Sequence, residues 1–260
     1  MRNIAMQVAY DGTDFCGWQI QNSQRTVQLE VESVLERLHG KKITVASAGR
    51  TDSGVHASCQ VVNFQTTQES MPAEKFSAAM NSLLPQDVRI VRSFEVHRDF
   101  HATRDAIQRR YRYYFYHSAF ADPLLDRFRL RLSTVPNLSV LNAMASLLIG
   151  THDFSSLASK KEGKTMVRTI HQAVFFPDQY GMVFEIAGRG FLWKMVRTIV
   201  GTMLSISGEA DPRQNFCNIL AACDRQYGGK TAAPHGLVLC GVQYPDFCLP
   251  HYQCVPGGDE

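Results

Sequence analysis

The chain has 260 residues, 45% hydrophobic and 20% charged, which excludes a disordered polypeptide and accommodates one large or two small domains. A formal net charge of +3 is too small by itself to mark a nucleic-acid binder. No apolar run approaches the ~18 residues that span a bilayer, and MRNIAMQVAY reads as an alternating strand rather than a signal peptide, so a soluble, cytoplasmic protein is expected.

Residues 4–10 predict a strand. Thr26 predicts an N-cap ahead of apolar residues at Val27, Val31, Val34, Leu35 and Leu38, and Gly40 closes this amphipathic helix. Residues 43–48 and 59–66 predict strands, 73–84 a helix with Pro72 near its start, and 88–96 a further strand. The order β-α-β-β-α-β is the split ferredoxin-like arrangement. The second half reads as a looser copy. A helix over 140–149 stops at Gly150, strands over 169–176 and 182–187 flank a PDQYG turn, and a long helix runs over 191–207. Another helix starts at Pro212 behind the cap Asp211, and 237–244 is a last strand. The string AGR recurs at 48–50 and 187–189, which duplication and coincidence explain equally well. The expectation is an α+β protein of two ferredoxin-like or RRM-like lobes whose mainly antiparallel sheets flank a central catalytic cleft. The lobes are placed at 1–102 and 103–250, with a tail at 251–260.

Three strings carry possible chemistry. AGRTDSGVHA, 48–57, lies between two expected strands, with glycines on both sides of Arg50 and Asp52. A hairpin loop whose aspartate caps its own backbone fits this composition. So does a carboxylate held rigidly for use, because glycines let backbone approach a ligand closely. The second string, 109–117, is expected to be a strand and interleaves Arg109, Arg110 and Arg112 with Tyr111, Tyr113, Tyr114, Phe115 and Tyr116. Arginines hold phosphates and rings stack on unpaired bases, so Arg109, Arg110 and Tyr111 are candidate RNA contacts. A half-buried strand with an aromatic core face and an arginine outer face also fits. The surrounding segment 98–131 holds eight arginines and four aspartates, so the chain's positive excess is concentrated there. In the third string, FLWKMVRTIVG at 191–201, Arg197 interrupts an apolar helix and shares a face with Trp193, Val200, Gly201 and Leu204. A buried guanidinium requires an anionic partner, and Asp52 is the candidate; snorkelling to water is the alternative.

Other machinery is missing from the sequence. It contains no Walker loop, no GxGxxG after a strand, no HExxH and no GxSxG elbow. Seven cysteines, an odd number without a CxxC, indicate thiols in a reducing compartment. The one metal-like cluster is Cys248-x-x-His251-x-x-Cys254, with Cys240 upstream, and it lacks ordered zinc-site spacing.

Taken together, YDGTDFCGWQ (10–19), AGRTDSGVHA (48–57), FHATRDAIQRRYRY (100–113), GTHDFSSL (150–157), FLWKMVRTIVG (191–201) and GLVLCGVQYP (236–245) resemble the ordered motifs of the pseudouridine synthases. Within them the match is to the tRNA pseudouridine synthase A family. The resemblance implies Asp52 as the essential carboxylate, Tyr111 as the tyrosine packing on the target base, Arg50 as the loop arginine and Arg197 as the cation paired with the aspartate. It further implies isomerisation of uridine to pseudouridine at positions 38, 39 and 40 of the tRNA anticodon stem-loop. No metal or cofactor is implied, and the implied assembly is a homodimer. The residues agree, because isomers interconvert without a second substrate, and aspartates are ionised at neutral pH without an activating base. Attack at C1′, addition to C6 and help with C2′ deprotonation all remain open for Asp52. Two rivals fit less of the sequence. A glycosidase-type hydrolase would need a second carboxylate, Asp11 or Asp14, and a non-catalytic RNA-binding protein would not need Asp52.

Overall fold

A computed structural model describes residues 1–159 and 165–245, together with the backbone of Cys248–Leu249. In chain order the elements begin with β1 (Arg2–Tyr10), α1 (Val27–His39), β2 (Ala46–Ser47), β3 (His56–Thr66), α2 (Lys75–Asn81) and β4 (Val88–Val96). There follow β5 (Gln108–His117), β6 (Leu130–Leu132), α3 (Leu138–Ala145), β7 (Gly150–Asp153), β8 (Val167–Asp178) and β9 (Gly181–Gly188). The chain closes with α4 (Met195–Ile206), α5 (Pro212–Ala221), β10 (Leu237–Gln243) and β11 (Cys248–Leu249). No helix among the described residues is long and apolar enough to cross a membrane. The protein is α+β, with mainly antiparallel strands, in two compact units. The first comprises Met1–Thr51, His56–Ile107 and the chain from Leu239; the second comprises Asp52–Val55 and Gln108–Val238.

In the first unit the strands run β4-β1-β3-β10, with β1 antiparallel to both β3 and β4. Alternation on β1 sends Ile4, Met6 and Val8 to the face that carries the helices, opposite Phe64 and Val62 of β3. The helix α1 begins where Thr26 Oγ1 accepts the Leu29 amide and ends at Gly40, whose φ of 66° is the left-handed cap that glycine adopts without strain. His39 of α1 stacks on Phe76 of α2 and meets the edge of Phe64, which joins both helices to the sheet. The other face of β1 is covered as well. Asn3 Nδ2 donates to the carbonyls of His97 and Phe100, and Asn63 binds both Asn3 Oδ1 and the Ala102 amide. The expected strand over 43–48 shrinks to Ala46–Ser47, because the Val45 amide is taken by the Glu32 carboxylate, 3.0 Å away, rather than by a ladder.

In the second unit the strands run β5-β9-β8-β7, antiparallel throughout, with β6 parallel to β5. One face stacks Tyr113, Phe115, Phe184 and Phe175, the last two 4.4 Å apart between ring centroids. Asn142 of α3 pins this layer by exchanging both side-chain hydrogen bonds with the backbone of Phe175. The helix α4 is buried on nearly every side. It starts at Met195 rather than at 191, because Lys194 stands in the left-handed region at φ 60°. Trp193, expected on the helix beside Arg197, therefore precedes it and is exposed. The segment 228–236 crosses α4 in close contact. Gly229 N donates to Thr202 Oγ1, Thr231 Oγ1 meets Thr198 Oγ1, and Ala232 N donates to the Arg197 carbonyl.

A Cβ at Gly201 would overlap the Lys230 carbonyl oxygen. Alanine normally stabilises a helix interior by about 1 kcal/mol relative to glycine. Here the sign reverses: Gly201→Ala is expected to lower unfolding free energy by about 1–3 kcal/mol, read as a reduced midpoint in denaturant titration.

Candidate active site

The loop 48–57 is anchored residue by residue. Ala48 N donates to the Val61 carbonyl, and Gln60 Nε2 donates to the Gly49 carbonyl. Thr51 shares a 2.8 Å hydrogen bond with the Tyr10 hydroxyl, and its carbonyl accepts from Trp18 N. A turn follows, in which Val55 N donates back to the Asp52 carbonyl. Gly54 permits that turn twice over, with a φ of 75° and a Cβ position 2.8 Å from Pro234 Cγ. Beyond the turn, His56 is buried and its Nδ1 accepts the Gly12 amide, while Asp11 Oδ1 lies 3.1 Å from the same nitrogen. Asp11 also serves the Thr13 amide and hydroxyl.

Arg197 and Asp52 meet. Arg197 Nη1 donates to Asp52 Oδ2 at 3.0 Å, with side-chain exposures of 13% and 19%. The guanidinium is fixed at a second point, since Nε donates to the Ala232 carbonyl at 2.9 Å. Two donors of one planar fork thus bind two acceptors, which sets the orientation of the carboxylate as well as its charge partner. Removing either member of such a pair strands a charge in a poorly hydrated place, a loss on the order of 3–5 kcal/mol for a fully buried pair and less here. The segment 228–236, which carries Ala232, was not singled out by its sequence. Its signals are Gly228-Gly229 and Pro234-His235-Gly236, punctuation between a helix and a strand that marks a loop but not a role.

Tyr111 lies on the aromatic face of β5, 7% exposed, with its ring edge-on to Phe191 at 5.1 Å. Tyr113, two residues along, donates its hydroxyl to the Ala233 carbonyl, and burial pushes its phenol well above the usual range. Arg110 and Arg112 point to the opposite face of the strand, where both grip the buried Glu185 carboxylate at 2.6 and 2.7 Å. Arg109 is buried and donates to the Arg189 carbonyl. Arg50 is exposed in the first unit. Of the cysteine-bearing tail, His251 and Cys254 lie outside the described residues, and only the backbone of Cys248 is described.

The His235 imidazole is held below its usual value near 6.5, chiefly by burial and then by the Arg197 charge, against the opposing pull of Asp126 and a hydrogen bond involving the Arg129 backbone. A proton is therefore bound more readily by the unfolded chain. The stability contributed by the neutral ring is complete above about pH 6.5 and falls as pH drops toward the folded-state value. Wild type minus His235→Asn, compared by urea denaturation from pH 8 to pH 5, is expected to show this loss only below about 6.5.

A family model described as tRNA pseudouridine synthase matches residues 6–103 and 144–245. The chain is 43% identical over 240 residues to tRNA pseudouridine synthase A of Halalkalibacterium halodurans, covering 92% of this chain and 91% of that relative. It is 42% identical over 252 residues to the protein of the same name from Geobacillus kaustophilus, covering 96% and 97%. With the one from Treponema denticola the identity is 40% over 256 residues, covering 95% of each.

Proposed function

The chain belongs to the tRNA pseudouridine synthase family and is an isomerase, and from that premise we propose that it converts uridine to pseudouridine at positions 38, 39 and 40 of the tRNA anticodon stem-loop, with Asp52 as nucleophile. The observation that carries this reading is the ion pair of Arg197 Nη1 with Asp52 Oδ2 at 3.0 Å, in which the carboxylate keeps part of its surface accessible. In the reaction the C1′–N1 bond breaks, the uracil turns and a C1′–C5 bond forms. The C5 proton leaves and N1 gains one, so atoms balance without a co-reactant. Asp52 supplies the charge and the nucleophile, and Arg197 with Ala232 fixes its aim. Tyr111 packs on the detached base and helps move the C5 proton. Arg50, exposed, holds the nucleotide out of its stack, which offsets an unstacking cost of a few kcal/mol. Arg109 and Arg110 belong to the tRNA-binding surface, Arg110 held in place by Glu185 and Arg109 by the Arg189 carbonyl. The enzyme works in the cytoplasm as a homodimer on tRNA, without metal or cofactor.

Tritium release from tRNA labelled at C5 of uridine tests the reading. The wild type is expected to release label, and Asp52→Asn to release none while still binding tRNA. Normal release by that variant would overturn the nucleophile, and free uracil among the products would favour a hydrolase. Tyr111→Phe, which keeps the ring, is expected to slow release roughly 100-fold or more if its hydroxyl moves the proton. Near-normal turnover would leave Tyr111 a stacking role only.

A further inference from the structure

Two residues within the FLWKMVR string are not used by this chemistry. Trp193 lies between Phe191, which packs on Tyr111, and Arg197, which holds Asp52, yet it is 57% exposed. The other tryptophan of the chain, Trp18, is 1% exposed. Lys194 Nζ stands 4.6 Å from the Trp193 ring centroid. The pairing is held by the backbone. Lys194 adopts φ 60°, a conformation unfavourable for an L-residue, and the Trp193 carbonyl accepts the Ser159 amide at 2.9 Å. No carboxylate pairs with Lys194 among the described residues, whereas Arg110, Arg112 and Arg129 are each paired with one.

We propose that Trp193 and Lys194 form a platform for the nucleotide flanking the target uridine, the indole stacking on its base and the ammonium meeting its phosphate. The proposal rests on the uridine isomerase reading of the same site. Phe191, whose ring meets Tyr111 at 5.1 Å, precedes Trp193 by two residues, so their Cα atoms lie at most ~7 Å apart, about one nucleotide step. A flat ring stacks on any base, and lysine meets phosphate as a point charge, so the platform takes single-stranded or splayed RNA without reading its sequence. A ring reserved for a protein partner would share the exposure but would not respond to RNA.

Tryptophan emission provides the test, because buried Trp18 leaves Trp193 as the fluorophore that RNA can touch. Titration of wild type with unmodified tRNA is expected to quench emission, and Trp193→Phe to abolish the quench. In the tritium assay Trp193→Ala is expected to raise KM for tRNA roughly 5- to 100-fold, with the change falling on KM rather than kcat, and Trp193→Phe to restore most of it. Lys194→Ala is expected to reduce the salt slope of binding by about 1. An unquenched wild type, or an unchanged KM in Trp193→Ala, overturns the platform while tritium release still supports the isomerase. A wild type that releases no label overturns the isomerase itself, whatever the emission does.

Discussion

A guanidinium that binds one carboxylate and one backbone carbonyl is the constraint on which the second unit is organised. Arg197 sits in an otherwise apolar helix, a costly position unless its charge is matched and its donors are used. Asp52 supplies the charge, and Ala232 supplies the second acceptor. For Ala232 to be there, the segment 228–236 must lie against α4, and the missing side chain of Gly201 is what admits it. Tyr113 then holds the next carbonyl, at Ala233, from the sheet side. A helix glycine, a sheet tyrosine and a loop alanine thereby decide where one carboxylate points.

The strand β5 separates two tasks by its twofold period. Tyr111, Tyr113 and Phe115 face the aromatic core, and Arg110 and Arg112 face away, bridged by Glu185. The buried Glu185 carboxylate fixes both guanidiniums. On β8, Asp178 does the same for Arg129, which also lies over the rings of Tyr114 and Tyr180. The positive excess counted over 98–131 is therefore partly matched by acids that enter from β8 and β9, far along the chain.

That difference shows what the sequence could and could not convey. Caps and periodicity made α1 legible from Thr26 to Gly40 and α5 from its Asp211 cap, because those signals are local. The strand over 88–96 and the hairpin around PDQYG were legible for the same reason. Local signals failed where a distant group intervened. Glu32 takes the amide of Val45 and ends a strand early, and the left-handed Lys194 delays a helix by four residues beyond its apolar pattern. At the site, Arg197 stood out as a charge in an apolar helix, whereas the composition around Asp52 fitted an ordinary hairpin loop and only the family resemblance marked that carboxylate. Ala232 did not stand out, since it contributes only a carbonyl, and a carbonyl carries no mark in a sequence.

The order β4-β1-β3-β10 has a consequence for how the polypeptide is made. The strand that lines the far edge of β3 is β10, which starts at Leu237, whereas the rest of the first unit apart from the chain's end is complete by Ile107. On a ribosome adding about 5–20 residues per second, that edge waits on the order of ten seconds while the second unit is synthesised. Only Val62 and Asn63 of β3 have β2 beside them in the interval. A nascent chain thus presents an open ladder to its neighbours on the polysome, and slow decoding between the two units would lengthen that exposure.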